Sequence, residues 1–424
     1  MRKAGEVVVR KRSSGKWEYR FEIEPLDGKR RRKEKGGFLR QKEAKAAGIE
    51  ARNNYIQYGD CKSYDDYSVA KFCDVWLAYA YQTKSIGTYK SHENMINCHI
   101  KPELGKNMMK DLDFEMVNSM YRKMADAGLA RSTIDLCGQV LSDMCSHAIK
   151  PYRILSSNPV RDAVIPDSAR RQEDRIPYTV EQIGKIFDLV PPGHDYYMAF
   201  YLTINCGIRI GEALALTWDR IDFKAHTLTI DRIIVDMSLA GKSIRILKEP
   251  KTKRSVRVLR LSDRVVQDLK EELQRQKERR DFYAGLYAEN YATKQVIELN
   301  GEKKEFQVVE SGIPTVGSTR LNLVCRRHNG KYIVRKSVNK YTKTMSRKLG
   351  FKIDTHTGRH THATLAIESG AKETAVAARL GQKDIKTTRK YIHTTDVMDQ
   401  EALDCFENAL SGGREEKNLE VKHG

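Results

Sequence analysis

The eight cysteines of this sequence contain no C-x-x-C pair and no zinc-ribbon spacing. Cys61, Cys73, Cys98, Cys137, Cys145, Cys206, Cys325 and Cys405 are scattered, mostly beside apolar residues. That suits free thiols in a reducing cytoplasm better than a disulfide framework. No apolar run approaches the roughly 20 residues that a membrane helix needs. Met1–Ser14 is basic but offers only Val7-Val8-Val9 as an apolar stretch, too short for a secretory signal. A cytoplasmic protein is expected. Acidic side chains are in short supply, with 56 Asp and Glu against 76 Lys and Arg, a net charge of +20. This excess says nothing of the fold. It points to a polyanionic partner, nucleic acid ahead of an acidic membrane surface.

What is present divides into modules. The 424 residues allow about three domains. Residues 1–60 hold 17 basic and 9 acidic residues, 61–170 hold 14 and 13, and the remainder 45 and 34, so the net charges are +8, +1 and +11. In the first segment Trp17, Tyr19, Phe21 and Ile23 alternate with charged residues, which predicts a strand. Ser13-Ser14-Gly15 separates it from a strand over Glu6–Arg12, and Pro25, Asp27 and Gly28 predict a second turn. Lys29–Lys35 follows, a basic strand from which Lys29, Arg30, Arg31, Arg32 and Lys33 are candidate DNA contacts, since a ribbon can enter a groove. A helix is expected over 41–58.

Residues 68–165 carry apolar positions at helical spacing, with breaks expected at Gly87, Pro102–Gly105, Gly128 and Pro151. About four helices and an aromatic core are predicted. Arg161–Pro177 reads as a linker. Thr179-x-x-Gln182 is a capping-box signature, and helical patterns continue over 196–216. Short strands are expected over 227–235, 243–247 and 255–261, and a charged helix over 262–280. Residues 289–319 lack clear periodicity and read as a long loop or insertion. Helices resume near Ser337.

Two familiar signals fail. Ala240-Gly241-Lys242-Ser243 resembles the end of a phosphate-binding loop, but the leading glycine is Asp236 and strands flank the segment. His356, His360 and His362 suggest zinc, yet Thr357 stands where the zincin pattern needs Glu. The informative residues are Arg209 in Cys206-Gly-Ile-Arg-Ile-Gly-Glu-Ala-Leu, and Lys251 in Pro250-Lys-Thr-Lys-Arg-Ser-Val-Arg, between two short strands. With them stand His356 and Arg359, three apart on one helix face, and Tyr391 at the end of Leu380-Gly-Gln-Lys-Asp-Ile-Lys-Thr-Thr-Arg-Lys-Tyr. Together they suit a phosphodiester. Two guanidiniums clamp the phosphate oxygens and offset the charge of a pentacoordinate transition state. A phenol attacks phosphorus, a Lys protonates the leaving oxygen, and a His moves a proton or holds the phosphate. Guanidinium takes the part of a metal, so no metal and no cofactor are expected.

These boxes resemble the tyrosine recombinase, or phage integrase, family. Cys206–Leu216 is similar to its T-G-L-R-x-G-E-x-L-x-L box, and Glu212 matches the supporting acidic residue. Pro250–Arg257 is similar to P-K-T-x-x-S-x-R, and Leu380–Tyr391 to L-G-H-x-x-x-x-T-x-x-x-Y. The layout most resembles conjugative-transposon integrases of Gram-positive bacteria. The resemblance implies a multidomain α+β chain. An arm-type DNA-binding domain of a small sheet plus a helix would cover 1–64, and an all-α core-binding domain 65–165. A linker over 166–178 would lead to a mostly α catalytic domain with a small sheet over 179–411, then a polar tail over 412–424.

The implied reaction is site-specific recombination through a 3′-phosphotyrosyl link to Tyr391, without ATP. Arg209 and Arg359 would bind the phosphate, His356 would assist proton transfer, and Lys251, with Lys253 as rival, would be the leaving-group acid. Implied partners are duplex DNA with core and arm sites, a homotetramer on two duplexes, and an excisionase-type accessory protein. Ala402, Leu403, Phe406 and Leu410 form a helical tail stripe that could dock on its own chain; the resemblance implies that it packs on a neighbouring protomer. Two departures stand out. Gln382 replaces the second family His, and can donate to phosphate but carries no proton charge. Gly358 replaces the Leu usual before Arg359, which suggests local flexibility. A non-catalytic DNA-binding regulator and a topoisomerase-like relaxing enzyme are the competing readings.

Overall fold

Alternation builds the N-terminal sheet. β1 (Val8–Lys11), β2 (Trp17–Leu26) and β3 (Lys29–Phe38) form an antiparallel sheet in the order β1-β2-β3. The structure is a computed structural model and describes residues 4–26, 29–58, 67–171, 175–239, 241–250 and 255–382. Two units emerge, Met1–Glu173 and Asp174–Gly424. In the first, Tyr19, Phe21 and Ile23 of β2 are buried together with Tyr55 of α1 (Gln41–Tyr58), which covers that face. Pro25 does not open a turn as expected. It lies within β2, where the pairing with β3 shifts register between Ile23 and Leu26. A strand tolerates proline at such an irregularity, because no ladder bond is lost.

The register splits the basic strand between two faces. Phe21 pairs with Lys33 and Ile23 with Arg31, so these two cations stand on the helix-covered side. The Lys33 ammonium lies 5.5 Å from the centroid of the Tyr55 ring. Glu22 pairs with Arg32, which places Arg32, and by alternation Arg30, on the opposite, open face. Arg20 of β2 and Arg10 of β1 share that face. Glu18 is buried between them, with Arg10 and Arg12 donating to its carboxylate and holding it below the usual carboxylate range.

The helical part comprises α2 (Val69–Thr83), α3 (Ile86–Met95), α4 (Lys101–Leu104), α5 (Phe114–Asp126) and α6 (Arg131–Ile149). Ser68, Ser85 and Asp113 cap α2, α3 and α5 through their side chains. Phe72, Trp76, Met120, Ile134, Leu141 and Met144 fill the core. The break expected over Pro102–Gly105 falls at its far end, where α4 stops at Leu104 with Gly105 as its C-cap, and not at the proline. A wider π-type turn, Ile96–Ile100, joins α3 to α4, and Pro102 sits in the first turn of α4. There its missing N–H breaks no bond.

The second unit begins with α7 (Val180–Leu189), whose capping box joins Thr179 and Gln182 in both directions. α8 (Tyr197–Asn205), α9 (Ile210–Ala215), α10 (Asp263–Tyr283), α11 (Arg335–Leu349), α12 (Thr355–Glu368) and α13 (Glu373–Leu380) follow in chain order around the strands. β4 (Ile221–Asp222), β5 (Thr227–Ile230) and β8 (Arg257–Arg260) form a three-stranded sheet. A second sheet has the order β11-β9-β10-β7-β6, from β6 (Ile233–Leu239), β7 (Lys242–Lys248), β9 (Asn290–Leu299), β10 (Glu302–Ser311) and β11 (Thr319–Arg320).

Three sequence expectations change here. The strand expected over 227–235 is two strands in different sheets, parted at Asp231-Arg232. The loop expected over 289–319 is largely the β9–β10 hairpin, closed by Asn300 and Gly301 with φ of 51° and 78°. Asn-Gly is the preferred pair for such a turn, because both residues accept positive φ. The strands on either side of Lys251, β7 and β8, belong to different sheets and do not pair with each other. Lys251 itself lies outside the described residues.

Candidate active site

Arg209 is placed by the start of a helix. It is the N-cap of α9 in extended conformation, and Glu212 at the third position of the helix accepts its backbone N–H at 2.9 Å. The same carboxylate accepts from the Arg209 guanidinium at 2.9 Å. Arg257 of β8 donates to both Glu212 oxygens, at 3.2 and 2.9 Å, in a bidentate pair. The Glu212 side chain is 1% exposed and Arg257 7%, while Arg209 remains 39% exposed. Burial raises the Glu212 carboxyl, but Arg257 and then Arg209 outweigh it and leave the group below the usual carboxylate range. The buried charge is compensated on both sides, which is the condition for keeping it.

Gly207, two residues ahead of Arg209, has φ +67°, and a Cβ there would lie 2.6 Å from the His362 ring and 2.9 Å from Leu380. The chain therefore turns flush against α12 and the end of α13. Arg359, 5% exposed on α12, donates to the Gly207 carbonyl at 2.9 Å and to the Leu380 carbonyl at 2.6 Å. Arg257 donates to the adjacent Arg379 carbonyl at 2.9 Å. Arg209, Glu212, Arg257, Arg359 and the end of α13 thus form one connected network. Gln382 follows at once, past Gly381 in the left-handed conformation, with its N–H on the Ala377 carbonyl at 3.0 Å. This closes the helix in a Schellman-type cap.

His356 stands one turn ahead of Arg359. Asp354 caps α12, accepting the N–H groups of His356 at 2.7 Å and Thr357 at 2.9 Å. Nε2 of His356 lies 3.3 Å from an Arg335 guanidinium nitrogen on α11. Burial, then Arg175, then Arg335 push the imidazole below its ordinary range, so it is neutral at pH 7. Gly358 is not a loose point in α12. It is buried, and a Cβ would meet Ile204 of α8 at 2.9 Å and Thr203 at 3.2 Å. A Leu has no room here. Overpacking of about 1–3 kcal/mol outweighs the ~1 kcal/mol that a larger residue gains over Gly in a helix.

The three histidines of α12 have separate partners. His360 Nδ1 meets the Thr364 hydroxyl at 3.1 Å. His362 Nδ1 lies 3.0 Å from the Ile204 carbonyl, and its Nε2 accepts from Arg379 at 3.1 Å. Burial first, then Arg379, lower His362 to about 4. An unfolded chain, with its histidine near 6.5, binds a proton that the folded one refuses. Stability should therefore fall between pH 6.5 and 4, by roughly 2–3 kcal/mol from this residue at pH 4.5. Urea unfolding at pH 7 and 4.5 checks this: His362→Gln should lose that much less than the native chain, and an equal loss contradicts it.

Lys251 and Tyr391 lie outside the described residues. Sequence reasoning did not single out Arg257 as a site residue, nor Arg335 at all. Arg257 closes the Pro250–Arg257 box and was legible there; Arg335 carries no motif.

Residues 178–398 match the phage integrase family. The chain belongs to that family. Its members are the tyrosine recombinases, enzymes that cut and rejoin DNA. Residues 7–55 of this recombinase match an arm DNA-binding domain, and 68–120 the phage integrase N-terminal SAM-like domain. It is 25% identical to a tyrosine recombinase XerC-like protein of Caldanaerobacter subterraneus, across 90% of this chain and 92% of that one. The ICEBs1 integrase of Bacillus subtilis is 22% identical, across 95% of this chain and 100% of its own. The Tn1549 transposon integrase, solved with transposon right end DNA, matches at TM-score 0.61 and 16% identity, over 79% of this chain and 99% of that one. A lambda integrase tetramer bound to a Holliday junction matches at TM-score 0.50 and 16% identity, over 92% and 96%. These place the fold as that of a tyrosine recombinase.

Proposed function

We propose that this recombinase integrates and excises a mobile element by site-specific exchange, with Tyr391 as nucleophile. The observation that carries the reading is the shared anchoring of Arg209 and Arg359. One network holds both guanidiniums, through Glu212, the Gly207 carbonyl and the end of α13. Two fixed guanidiniums are the arrangement that stabilises a phosphodiester gaining charge. In this reading the Tyr391 oxygen attacks phosphorus and its proton passes to His356. The bond from phosphorus to the 5′-oxygen breaks, and that oxygen takes a proton from Lys251, with Lys253 as the rival donor. A 5′-hydroxyl of the partner strand later attacks the 3′-phosphotyrosyl ester and releases Tyr391. The ester conserves the bond energy, so neither ATP nor a metal is required. Gln382 donates a hydrogen bond to the phosphate.

The domains are taken as arm-binding over 1–64, core-binding over 65–165, a linker over 166–178, catalytic over 179–411, and a tail over 412–424. On the arm domain, Arg30 and Arg32, joined by Arg10 and Arg20, would meet DNA from the open sheet face, while Arg31 and Lys33 pack on the helix side. Lys29 stays a candidate on sequence alone. The active assembly is a homotetramer on two DNA duplexes, supported by the lambda integrase tetramer on a Holliday junction. It acts in the cytoplasm, with an excisionase-type protein setting direction. Gln382 favours one second reading, a regulator that binds DNA without cutting it. Incubation with a plasmid carrying both ends of its own element should give recombinant junctions. Relaxed circles alone would replace the reading with a relaxing enzyme, and unchanged plasmid with the regulator.

A further inference from the structure

Arg335 sits where a cation is least favoured for helix stability. It opens α11 with no side-chain cap, no acidic residue in the first turn, and Lys336 beside it. Two cations at a helix N-terminus oppose the macrodipole. Its guanidinium is half-buried and lies 3.3 Å from His356 Nε2. Arginine has donors only, so Nε2 must be the acceptor in this contact and the imidazole proton must sit on Nδ1. Arg335 therefore selects the tautomer of His356 and adds to the burial and the Arg175 charge that keep the ring neutral.

We propose that Arg335 is a positioning residue for His356, holding the imidazole by Nε2 as a neutral, Nδ1-protonated base until the attacking phenol takes its place. The proposal rests on the reading above, in which His356 accepts the Tyr391 proton. A base must keep its lone pair unprotonated before substrate arrives, and a guanidinium on that lone pair does so without itself titrating. Among the described residues the other charged groups around His356 are Arg175 from the segment ahead of α7, Asp354 at the cap of α12 and Arg359 on α12. Arg175 also lies 4.0 Å from the Asp354 carboxylate. Among the described residues Asp354 alone favours the imidazolium, and three arginines oppose it.

The test is the pH profile of covalent adduct formation on a nicked substrate from its own element, at saturating enzyme, for the native chain, Arg335→Gln and Arg335→Lys. Without the cation His356 protonates more readily. The acid limb of Arg335→Gln should move to higher pH by about one unit, and Arg335→Lys should return it toward the native position. A second readout, NMR titration of the His356 ring assigned with His356→Gln, should move the same way and needs no DNA. An unmoved limb and unmoved titration in Arg335→Gln, or a rate loss equal at every pH, would overturn the proposal. Absence of any adduct from the native chain would sink the recombinase reading, and the NMR titration then decides the role of Arg335 by itself. Removing a cation from a helix N-terminus favours the helix, so Arg335→Gln should fold.

Discussion

Glu212→Ala should unfold the second unit more readily and abolish DNA cleavage together. Glu212 is the only partner that Arg257 and Arg209 share among the described residues, and its removal leaves the 7%-exposed Arg257 with carbonyl acceptors but no carboxylate among those residues. Breaking a buried ion pair from one side costs about 3–5 kcal/mol. That is a large part of the ~5–15 kcal/mol that holds a typical domain together. Cleavage suffers separately, because the carboxylate also fixes the backbone and guanidinium of Arg209. Glu212→Gln separates the two effects. It keeps the acceptor oxygen for one arginine and loses the charge, so stability should fall less than in Glu212→Ala while the adduct rate still drops. The pH dependence has a definite sign. Pairing depresses the Glu212 carboxyl, so its contribution is present above the ordinary carboxylate range and fades as pH falls through the depressed value. Urea unfolding between pH 7 and 3 should show a shallower acid loss in Glu212→Gln than in the native chain. Equal slopes would mean that the carboxylate carries no such load.

Arg359→Met is the second large expected effect, and it divides differently. The guanidinium donates to two carbonyls, of Gly207 and Leu380. Losing it leaves both acceptors buried, at about 1–3 kcal/mol each where no water replaces it. It also removes one of the two charges proposed for the phosphate. Removal of a single donor to a developing oxyanion costs roughly 10²–10³ in rate. Arg359→Lys keeps a charge but not the fork, and one ammonium cannot reach both carbonyls in the guanidinium geometry. It should recover DNA binding without recovering the cleavage rate. A lysine variant with native rate would show that Arg359 acts as simple charge and that the fork is idle.

Residues that carry their partners nearby were legible in the sequence. Arg209 and Glu212 are three apart on one helix start, as are His356 and Arg359 on one helix face, and Thr179 with Gln182 forms a cap. What escaped depends on contacts between distant segments. Arg257 reaches Glu212 across 45 residues, and Arg335 reaches His356 across 21. The last position of the Pro250–Arg257 box marks Arg257 but not its partner, and nothing in the sequence marks Arg335. The β9–β10 hairpin escaped because Lys294, Val296 and Glu298 are all exposed along one strand, so hydrophobic alternation is weak. Its Asn300-Gly301 turn was nevertheless visible. The basic strand misled in another way. Charge alone did not say that a period of two would turn Arg31 and Lys33 toward a helix and leave Arg30 and Arg32 in the open. Gly358 looked like flexibility and is a packing contact, since only the neighbouring α8 shows that a Cβ has nowhere to go.

In the proposed reaction a tyrosine of this chain becomes covalently joined to DNA, and the Arg209–Glu212–Arg359 network prepares the phosphate for it. A nicked suicide substrate from the ends of its own element traps that intermediate, because the strand beyond the nick diffuses away and religation fails. On a denaturing gel the native chain should give a DNA–protein adduct. Tyr391→Phe should give none while still shifting the same DNA under native conditions. No adduct from the native chain, or an adduct that survives Tyr391→Phe, would contradict the account.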